Sequence, residues 1–272
     1  MTIHEYTETV LSSDALKEIT CLVCGASRGI GRATAITLAK AGASVIALAR
    51  NGEKLELLLD QLNAISYGTH STYIVDLENP ESIDSALDEI DSKHGSIHVL
   101  INNSGGPPSG PLLGVNSEDF IQYFQRHLFA SHKLVKRLLP GMEEEGYGRI
   151  INVISTSVRE PIMNIGLSNT VRGAMASWSK SLSMELPPFV TINNILPGFT
   201  ETDRLSELSE SLAKSKGVTP DDIRKNWISQ VPAKRLAKPE ETAAAISFLA
   251  SPAAGYIRGV SLAVDGGRMK SI

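Results

Sequence analysis

Short apolar runs alternate with longer amphipathic segments from residue 19 almost to the end of the chain. The apolar runs are rich in Val, Ile and Leu and lack polar alternation, which is typical of strands buried on both faces of a parallel sheet. Seven runs predict seven strands, at residues 19–24, 44–49, 71–75, 97–102, 148–154, 189–195 and 260–264. The alternation therefore predicts a doubly wound α/β fold with right-handed crossovers.

The segments between the predicted strands carry the signals of helices. A stripe with the 3.6-residue period of a helix packed on a sheet is formed by Leu55, Leu58, Leu59 and Leu62. Asn79-Pro80 predicts an N-cap followed by a proline in the first turn, and Asn51 can begin the preceding helix in the same way.

The domain organisation is predicted to be simple. Neither a repeat, a low-complexity tract nor a linker divides residues 1–272, so we expect one domain with its core at 19–268. Residues 1–18 precede the first strand and are expected on the surface. The polar insertion at 200–230 is predicted to be helical and to act as a lid over a ligand, because apolar residues recur along it at Leu205, Leu208, Leu212 and Ile223.

Composition excludes several classes of partner. The chain has 272 residues, with 26 Lys and Arg against 30 Asp and Glu, so its formal net charge is −4. A chain with this charge lacks the excess of basic residues that is typical of a nucleic-acid binder. The longest apolar runs are too short to span a bilayer, and residues 1–8 lack the apolar core of a signal peptide. We expect a cytoplasmic protein that binds neither nucleic acid nor membrane.

The two cysteines, Cys21 and Cys24, form a C-x-x-C sequence that is a candidate redox or metal pair. Both lie in the first predicted strand, where positions three apart point to opposite faces of the sheet. A second cysteine pair that would complete a zinc site is absent from the sequence. We therefore predict two buried structural cysteines and no metal site.

A glycine-rich turn follows the first predicted strand and opens a helix. It comprises Gly25, Ala26, Ser27, Arg28, Gly29, Ile30 and Gly31. Glycines there allow the backbone to approach a phosphate closely, and the helix N-terminus offers free amides and the positive end of a dipole. This placement predicts a dinucleotide pyrophosphate site and a Rossmann-like fold. The alternative is a glycine turn required only for packing.

The end of the second strand indicates which dinucleotide binds. Folds of this kind place an acid there for the ribose of NAD, or an Arg for the 2′-phosphate of NADP. This chain has Ala49 and then Arg50, and Arg28 in the glycine turn offers a second guanidinium. NADP(H) is therefore predicted over NAD(H). The alternative is that Arg50 is only a solvated surface residue.

With these motifs in order, the chain resembles the short-chain dehydrogenase/reductase family and is similar in layout to its 3-oxoacyl-carrier-protein reductases. The matching segments are Gly25 to Gly31, Val75-Asp76-Leu77, Asn102-Asn103-Ser104-Gly105, Asn194 to Thr202 and Val264-Asp265-Gly266-Gly267. The resemblance implies an oxidoreductase and adds a set of cofactor-binding residues: Asp76, Leu77, Asn103, Ser104, Gly105, Arg172, Pro197, Gly198, Thr200 and Thr202. It also implies a homodimer or homotetramer, with the Trp178 helix and the apolar run at 243–250 as candidate interfaces.

The reaction centre departs from that family. Its catalytic set is Asn, Ser, Tyr and Lys, and the corresponding positions here carry His127, Ser155, Ser168 and Arg172. Ser168 is too weak an acid to replace tyrosine, and Arg172 keeps a positive charge but does not deprotonate.

Two functions remain open from the sequence. In the first, the chain is an NADP(H)-dependent oxidoreductase acting on a carbonyl or hydroxyl group, such as a 3-oxoacyl thioester or a related ketone. His127 then supplies the proton directly or through water and pairs with Ser155, which holds the substrate oxygen. The alternative role of His127 is to anchor its helix by hydrogen bonding. In the second function, the chain is a catalytically inactive NADP(H)-binding sensor or scaffold.

Overall fold

A single seven-stranded parallel sheet forms the centre of the protein, in a computed structural model that describes residues 14–65 and 68–271. The strand order is β3-β2-β1-β4-β5-β6-β7. The strands are β1 (Thr20–Cys24), β2 (Ser44–Ala49), β3 (Ser71–Ile74), β4 (Val99–Asn102), β5 (Gly148–Val153), β6 (Val190–Pro197) and β7 (Ser261–Val264). The predicted single Rossmann-like domain is confirmed, because the order reverses between β1 and β4 as in a doubly wound sheet.

Helices cover both faces of this sheet. They are α1 (Gly29–Lys40), α2 (Gly52–Ile65), α3 (Pro80–His94), α4 (Ser117–Phe124), α5 (Ala130–Glu144), α6 (Gly166–Glu185), α7 (Asp203–Lys216), α8 (Pro220–Ser229) and α9 (Pro239–Ala250). A π-helical turn at Gln125–Phe129 joins α4 to α5. None of the described helices is long and apolar enough to cross a bilayer.

All seven predicted strands are present; β2 has the predicted ends, and each of the others is shifted at one end or both. The sixth strand was predicted at 189–195 but runs to Pro197. Leu196 pairs with Ala263 and Pro197 pairs with Val264 of the edge strand β7. This extension depends on a partner that lies more than sixty residues further along the chain, so local periodicity does not predict it.

The two cysteines lie in different apolar layers of the protein. Cys21 packs on the sheet face that carries α1 and α9, whereas Cys24 packs on the face that carries α3 and α5. Both thiols are free, and burial raises the pKa of each, that of Cys24 to about 12. The prediction of opposite faces is confirmed, and a neutral buried thiol is a poor nucleophile or metal ligand.

The predicted helix starts are confirmed by their hydrogen bonds. Asn79 Oδ1 accepts the backbone amides of Glu81 and Ser82 at 2.9 and 3.3 Å. Asn51 Oδ1 accepts the amide of Lys54 at 2.8 Å. Each cap satisfies amides that have no partner inside the helix.

The structure differs from two expectations, one for residues 1–18 and one for the apolar run at 243–250. Residues 1–13 lie outside the described residues, but Leu16 is fully buried in the core, so the surface location expected for 1–18 is wrong at that residue. Its amide also donates to the carbonyl of Ala41. Half of the apolar run at 243–250 is buried inside the chain, on the side of α9 that packs against α1, whereas Phe248 is 38% exposed.

A row of asparagines crosses the sheet near the carboxyl ends of its strands. Asn102 Nδ2 donates to Asn152 Oδ1 at 2.8 Å, Asn152 Nδ2 donates to Asn194 Oδ1 at 2.9 Å, and Asn194 Nδ2 donates to Ser261 Oγ at 3.1 Å. The three amides are buried, and their residues are directly paired in the strand register. This ladder fixes the register of β4 to β7 directly beneath the edge where ligands bind in such sheets.

Candidate active site

The glycine turn forms a tight cradle between β1 and α1. Gly25 and Gly29 have φ values of +61° and +55°, which favour glycine. A Cβ on Gly31 would lie 2.2 Å from the carbonyl oxygen of Gly25. Asn103 Nδ2 donates to the carbonyls of Cys24 and Gly25 at 3.2 and 3.3 Å, so β4 holds the turn in place. The backbone therefore leaves space for a phosphate beside the amides of the first turn of α1, which fits a dinucleotide.

The other residues predicted in this turn differ in exposure. Arg28 is exposed, Ser27 is half-buried, and Ile30 packs against the apolar core. Ile30 can therefore offer a ligand only its backbone, whereas Ser27 and Arg28 can offer side chains. Arg28 Nη1 lies 2.9 Å from Glu207 Oε1, so an ion pair joins the turn to helix α7.

The predicted phosphate-binding Arg50 lies at the end of β2 and is largely exposed. Its Nη1 atom is 4.0 Å from Asp76 Oδ2, and Asp76 Oδ1 accepts the amide of Glu78 at 3.0 Å. Arg126 forms a short ion pair with Glu78 and donates to the carbonyl of Gly105. Arg126 is therefore occupied by Glu78, whereas the more exposed Arg50 is free to turn toward a phosphate.

A small cavity at the carboxyl ends of β1 and β4 contains His127. Its lining includes Leu77, Asn103, Ser104 and Arg126. His127 lies in the π-helical turn, is only 5% exposed, and its Nδ1 atom is 2.8 Å from Ser104 Oγ. Burial, followed by the charges of Arg172 and Arg126, lowers the pKa of His127 well below its ordinary value. The imidazole is therefore neutral at neutral pH.

Arg172 lies under the end of β5. Its Nη1 atom donates to the carbonyls of Val153 and Ile154 at 3.0 and 3.1 Å. Its Nη2 atom is 3.3 Å from the position of a Cβ on Gly106. Burial, with a smaller effect from the charge of Arg204, lowers the pKa of Arg172 to about 10, so the group stays cationic at neutral pH. A fixed positive charge is therefore held at the carbonyls of the two residues that precede Ser155.

A second and larger cavity, of about 400 Å³, contains Ser155. Ser155 Oγ accepts the amide of Ser157 at 3.0 Å, which begins a short 3₁₀ helix at Thr156–Val158. His127 does not line this cavity, and hydrogen bonds among the described residues join His127 to Ser104 and not to Ser155. The predicted direct pair of His127 and Ser155 is wrong, because the π-helical turn directs the imidazole toward β4.

The other residue at a catalytic position, Ser168, is half-buried in the first turn of α6 and does not line the larger cavity. Nor does Tyr123, whose ring lies under Arg126 at 4.6 Å. Within the described part of the chain, the walls of the larger cavity carry no tyrosine that could act as the proton donor.

The segment at the end of β6 and after it runs from the larger cavity to the glycine turn. Pro197 and Gly198 line the larger cavity, and Thr200 Oγ1 donates to the carbonyl of Gly198 at 3.3 Å. Thr202 caps α7 by accepting the amide of Leu205, and its methyl carbon is 3.2 Å from the position of a Cβ on Gly29. Helix α7 therefore begins directly against the glycine turn.

The predicted insertion folds as helices α7 and α8. The four apolar residues that predicted it all face the larger cavity, together with Trp227 and Phe199, whose rings stack at 5.4 Å. The helical prediction for 200–230 is confirmed, and its role as a lid stays a prediction. Arg204 and Arg268 were not predicted in the site, although Arg204 Nη2 donates to the carbonyl of Pro107 and Arg268 lines the cavity.

Comparisons with known proteins agree with this geometry. A family model described as enoyl-(acyl carrier protein) reductase matches residues 25–268. The NADPH-dependent reductase BacG of Bacillus subtilis is 33% identical, over 93% of this chain and 98% of that protein. The 3-oxoacyl-[acyl-carrier-protein] reductase FabG of Vibrio cholerae is 36% identical, over 90% of this chain and 95% of its own length.

A solved structure of a reductase has the same fold as this chain. L-sorbose reductase from Gluconobacter frateurii, complexed with NADPH and L-sorbose, superposes with a TM-score of 0.90 at 28% identity, covering 96% of this chain and all of that one. The family model spans most of the chain, and its relatives align nearly end to end. This chain therefore belongs to the short-chain dehydrogenase/reductase family.

Proposed function

We propose that the protein is an NADPH-dependent reductase of a ketone, such as a 3-oxoacyl thioester or a related carbonyl compound, with an altered proton path. The observation that carries the proposal is Ser155 at the wall of a ligand-sized cavity, with the fixed charge of Arg172 bonded to the carbonyl of the preceding residue, Ile154. An inactive site has no need to hold a guanidinium where burial lowers its pKa, because burying a cation is costly.

The predicted cofactor preference is confirmed by the relatives, since BacG is named as NADPH-dependent and the sorbose reductase structure holds NADPH. In this chain the glycine cradle would hold the pyrophosphate, and Arg50 with Arg28 would meet the 2′-phosphate. When bound, the reduced cofactor supplies the hydride, with its two electrons, to the carbonyl carbon. The carbonyl oxygen must then gain one proton from another source.

One group of the cavity wall can bind that oxygen directly. Ser155 Oγ accepts a backbone amide, which leaves its hydroxyl proton available to a substrate oxygen. The guanidinium of Arg172 is held by the carbonyl of Ile154 behind this wall, and its positive charge favours negative charge that develops on the oxygen. Arg172 cannot supply the proton, because it stays charged.

The proton source is proposed to be the Ser104–His127 pair acting through water. A neutral imidazole accepts a proton at one nitrogen as it releases one from the other, so a histidine with a lowered pKa can relay a proton without storing it. Direct transfer from His127 is not part of this proposal, because His127 and Ser155 line different cavities. The other role, an anchor for the helix, uses the same hydrogen bond to Ser104.

The test compares His127→Ala with His132→Ala, which makes the same change five residues later at an exposed position. NADPH oxidation at 340 nm is followed against ketones, aldehydes and 3-oxoacyl thioesters across pH. A relay predicts a loss of about 100-fold in kcat and an altered pH profile for His127→Ala alone. An unchanged rate and profile would assign His127 to anchoring.

The second candidate is an NADP(H)-binding sensor without turnover. It is favoured by the position of Ser168, which lies outside the cavity where the family's tyrosine would act. Tight NADPH binding by fluorescence, with no oxidation of NADPH by any carbonyl compound in the series, would support the sensor and overturn the reductase.

Self-association as a homodimer or homotetramer is also proposed. Large apolar side chains stay exposed on α6 and beside α5, at Met184 and Phe129, which are 76% and 51% exposed. Light scattering after size exclusion would show the mass of a dimer or tetramer, and the mass of one chain at micromolar concentration would refute it.

A further inference from the structure

The larger cavity combines an apolar wall with a half-buried cation. Its apolar lining comes from the lid and from the segment after β5, and includes Ile162, Ile165, Phe199, Leu208, Leu212 and Trp227. Two cationic side chains, Arg268 and Lys216, also reach it, and within the described residues its lining contains no Asp or Glu. A ligand that fills the cavity therefore meets positive charge without a matching carboxylate.

Arg268 is fixed at the inner end of this cavity. Its guanidinium carbon lies 4.7 Å from the centre of the Phe199 ring, and its Nη1 atom donates to Thr156 Oγ1 at 3.2 Å. Phe199 stacks in turn on Trp227, so the cation belongs to a layered stack that holds its orientation. Thr156 follows Ser155 directly, which places Arg268 close to the proposed position of the reacting carbonyl.

The hydrogen bonding of Arg268 is incomplete. Its Nε atom is buried and has no partner in the described structure. A buried donor without a partner costs about 1–3 kcal/mol, more for a charged group. The nearest acid with an electrostatic effect is Glu160, which is engaged by the amides of Lys270 and Ser271 and forms no ion pair with Arg268 within the described residues.

We propose that Arg268 is a specificity-determining residue, which binds a carboxylate of the substrate close to the reacting carbonyl. The substrate class is then an oxo acid with an apolar or aromatic tail, with the tail against the lid and the acid against the terminal nitrogens of Arg268. A guanidinium presents its terminal N–H groups in the fork that matches a carboxylate. A thioester is neutral at the same position and does not pair with this charge.

This inference rests on the proposed reductase function, and its test separates the two. Binding is measured by calorimetry with 3-phenylpropionate and 3-phenylpropanamide, which are not reducible and differ only in charge and hydrogen bonding. Turnover is measured by NADPH oxidation with phenylpyruvate, its methyl ester and a 3-oxoacyl thioester. The variants are Arg268→Met and Arg268→Lys, with Lys214→Met as the control, because Lys214 removes an equal charge from α7 outside the cavity.

The expected result is that the acid binds about tenfold to hundredfold more tightly than the amide, since a charge-assisted hydrogen bond has that effect. The preference is lost in Arg268→Met, partly kept in Arg268→Lys and unchanged in Lys214→Met, while NADPH affinity and Tm stay constant. Equal binding of acid and amide, or a preference that survives in Arg268→Met, overturns the inference.

The experiment distinguishes failure of the reductase function from failure of the acid specificity. If acid binding depends on Arg268 but no carbonyl compound is reduced, the anion site stands and the reductase function falls. If ketones are reduced but ester and thioester are used as well as the acid, and Arg268→Met slows all of them equally, the function stands and the acid specificity is wrong.

Discussion

Replacing Gly31 with alanine tests the cofactor cradle most directly. A Cβ at this position would lie 2.2 Å from the Gly25 carbonyl oxygen and 2.6 Å from Asn103 Nδ2. Ordinary contacts of this kind exceed 3.4 Å, so the overlap with the carbonyl is more than 1 Å. The obstructing atom is backbone, and it cannot turn away as the end of a side chain would.

The cost follows from that geometry. Introducing atoms into a packed site destabilises by about 1–3 kcal/mol, and we expect the upper end here because the glycine turn must move as a unit. Such a movement displaces the amides that face the pyrophosphate. We expect the Kd for NADPH to rise at least about tenfold, equivalent to about 1.4 kcal/mol, and Tm to fall.

The assay is a titration of NADPH fluorescence with a thermal melt of the same sample. Gly173→Ala is the matched control, because it makes the same change inside helix α6 where nothing lies within 4 Å of the new Cβ. There the substitution is expected to be neutral or slightly stabilising. If Gly31→Ala bound NADPH within twofold of the parent, the assignment of the turn as the phosphate cradle would be refuted.

Three further predictions follow from the charges and buried polar groups. Arg50→Ala should raise KM for NADPH about tenfold and leave KM for NADH unchanged, because only NADPH carries the 2′-phosphate; an equal change in both would contradict the assignment. Asn152→Ala should lower the free energy of unfolding by about 2–4 kcal/mol in urea, since it leaves the buried atoms Asn102 Nδ2 and Asn194 Oδ1 without their partner; a loss below 1 kcal/mol would argue against the ladder. Burial lowers the folded-state pKa of His70, His98 and His127, so below about pH 6.5 the unfolded chain binds more protons than the folded chain. The free energy of unfolding should therefore fall from about pH 6.5 toward pH 5, above the range in which the carboxylates titrate. Equal Tm values at pH 7.5 and 5.5 would refute this.

Local pattern determined much of the fold. Each buried strand is a short run of β-branched and aliphatic residues, and helix starts at Asn51 and Asn79 depend on side chains that bond to amides two or three positions away. The opposite placement of Cys21 and Cys24 followed from the period of a strand alone. These features are encoded within a few residues, so the sequence by itself was sufficient to predict them.

The tertiary structure decided the features that depend on distant partners. The π-helical turn directs His127 toward Ser104 and away from Ser155, and spacing along the chain does not reveal that direction. Arg268 is separated from Thr156 by more than one hundred residues, so only the folded chain places its guanidinium at the wall of the cavity. The sequence determined which elements form and which cofactor they suit, and packing determined which side chains meet, because the environment of a buried charge is set by segments that are remote in sequence.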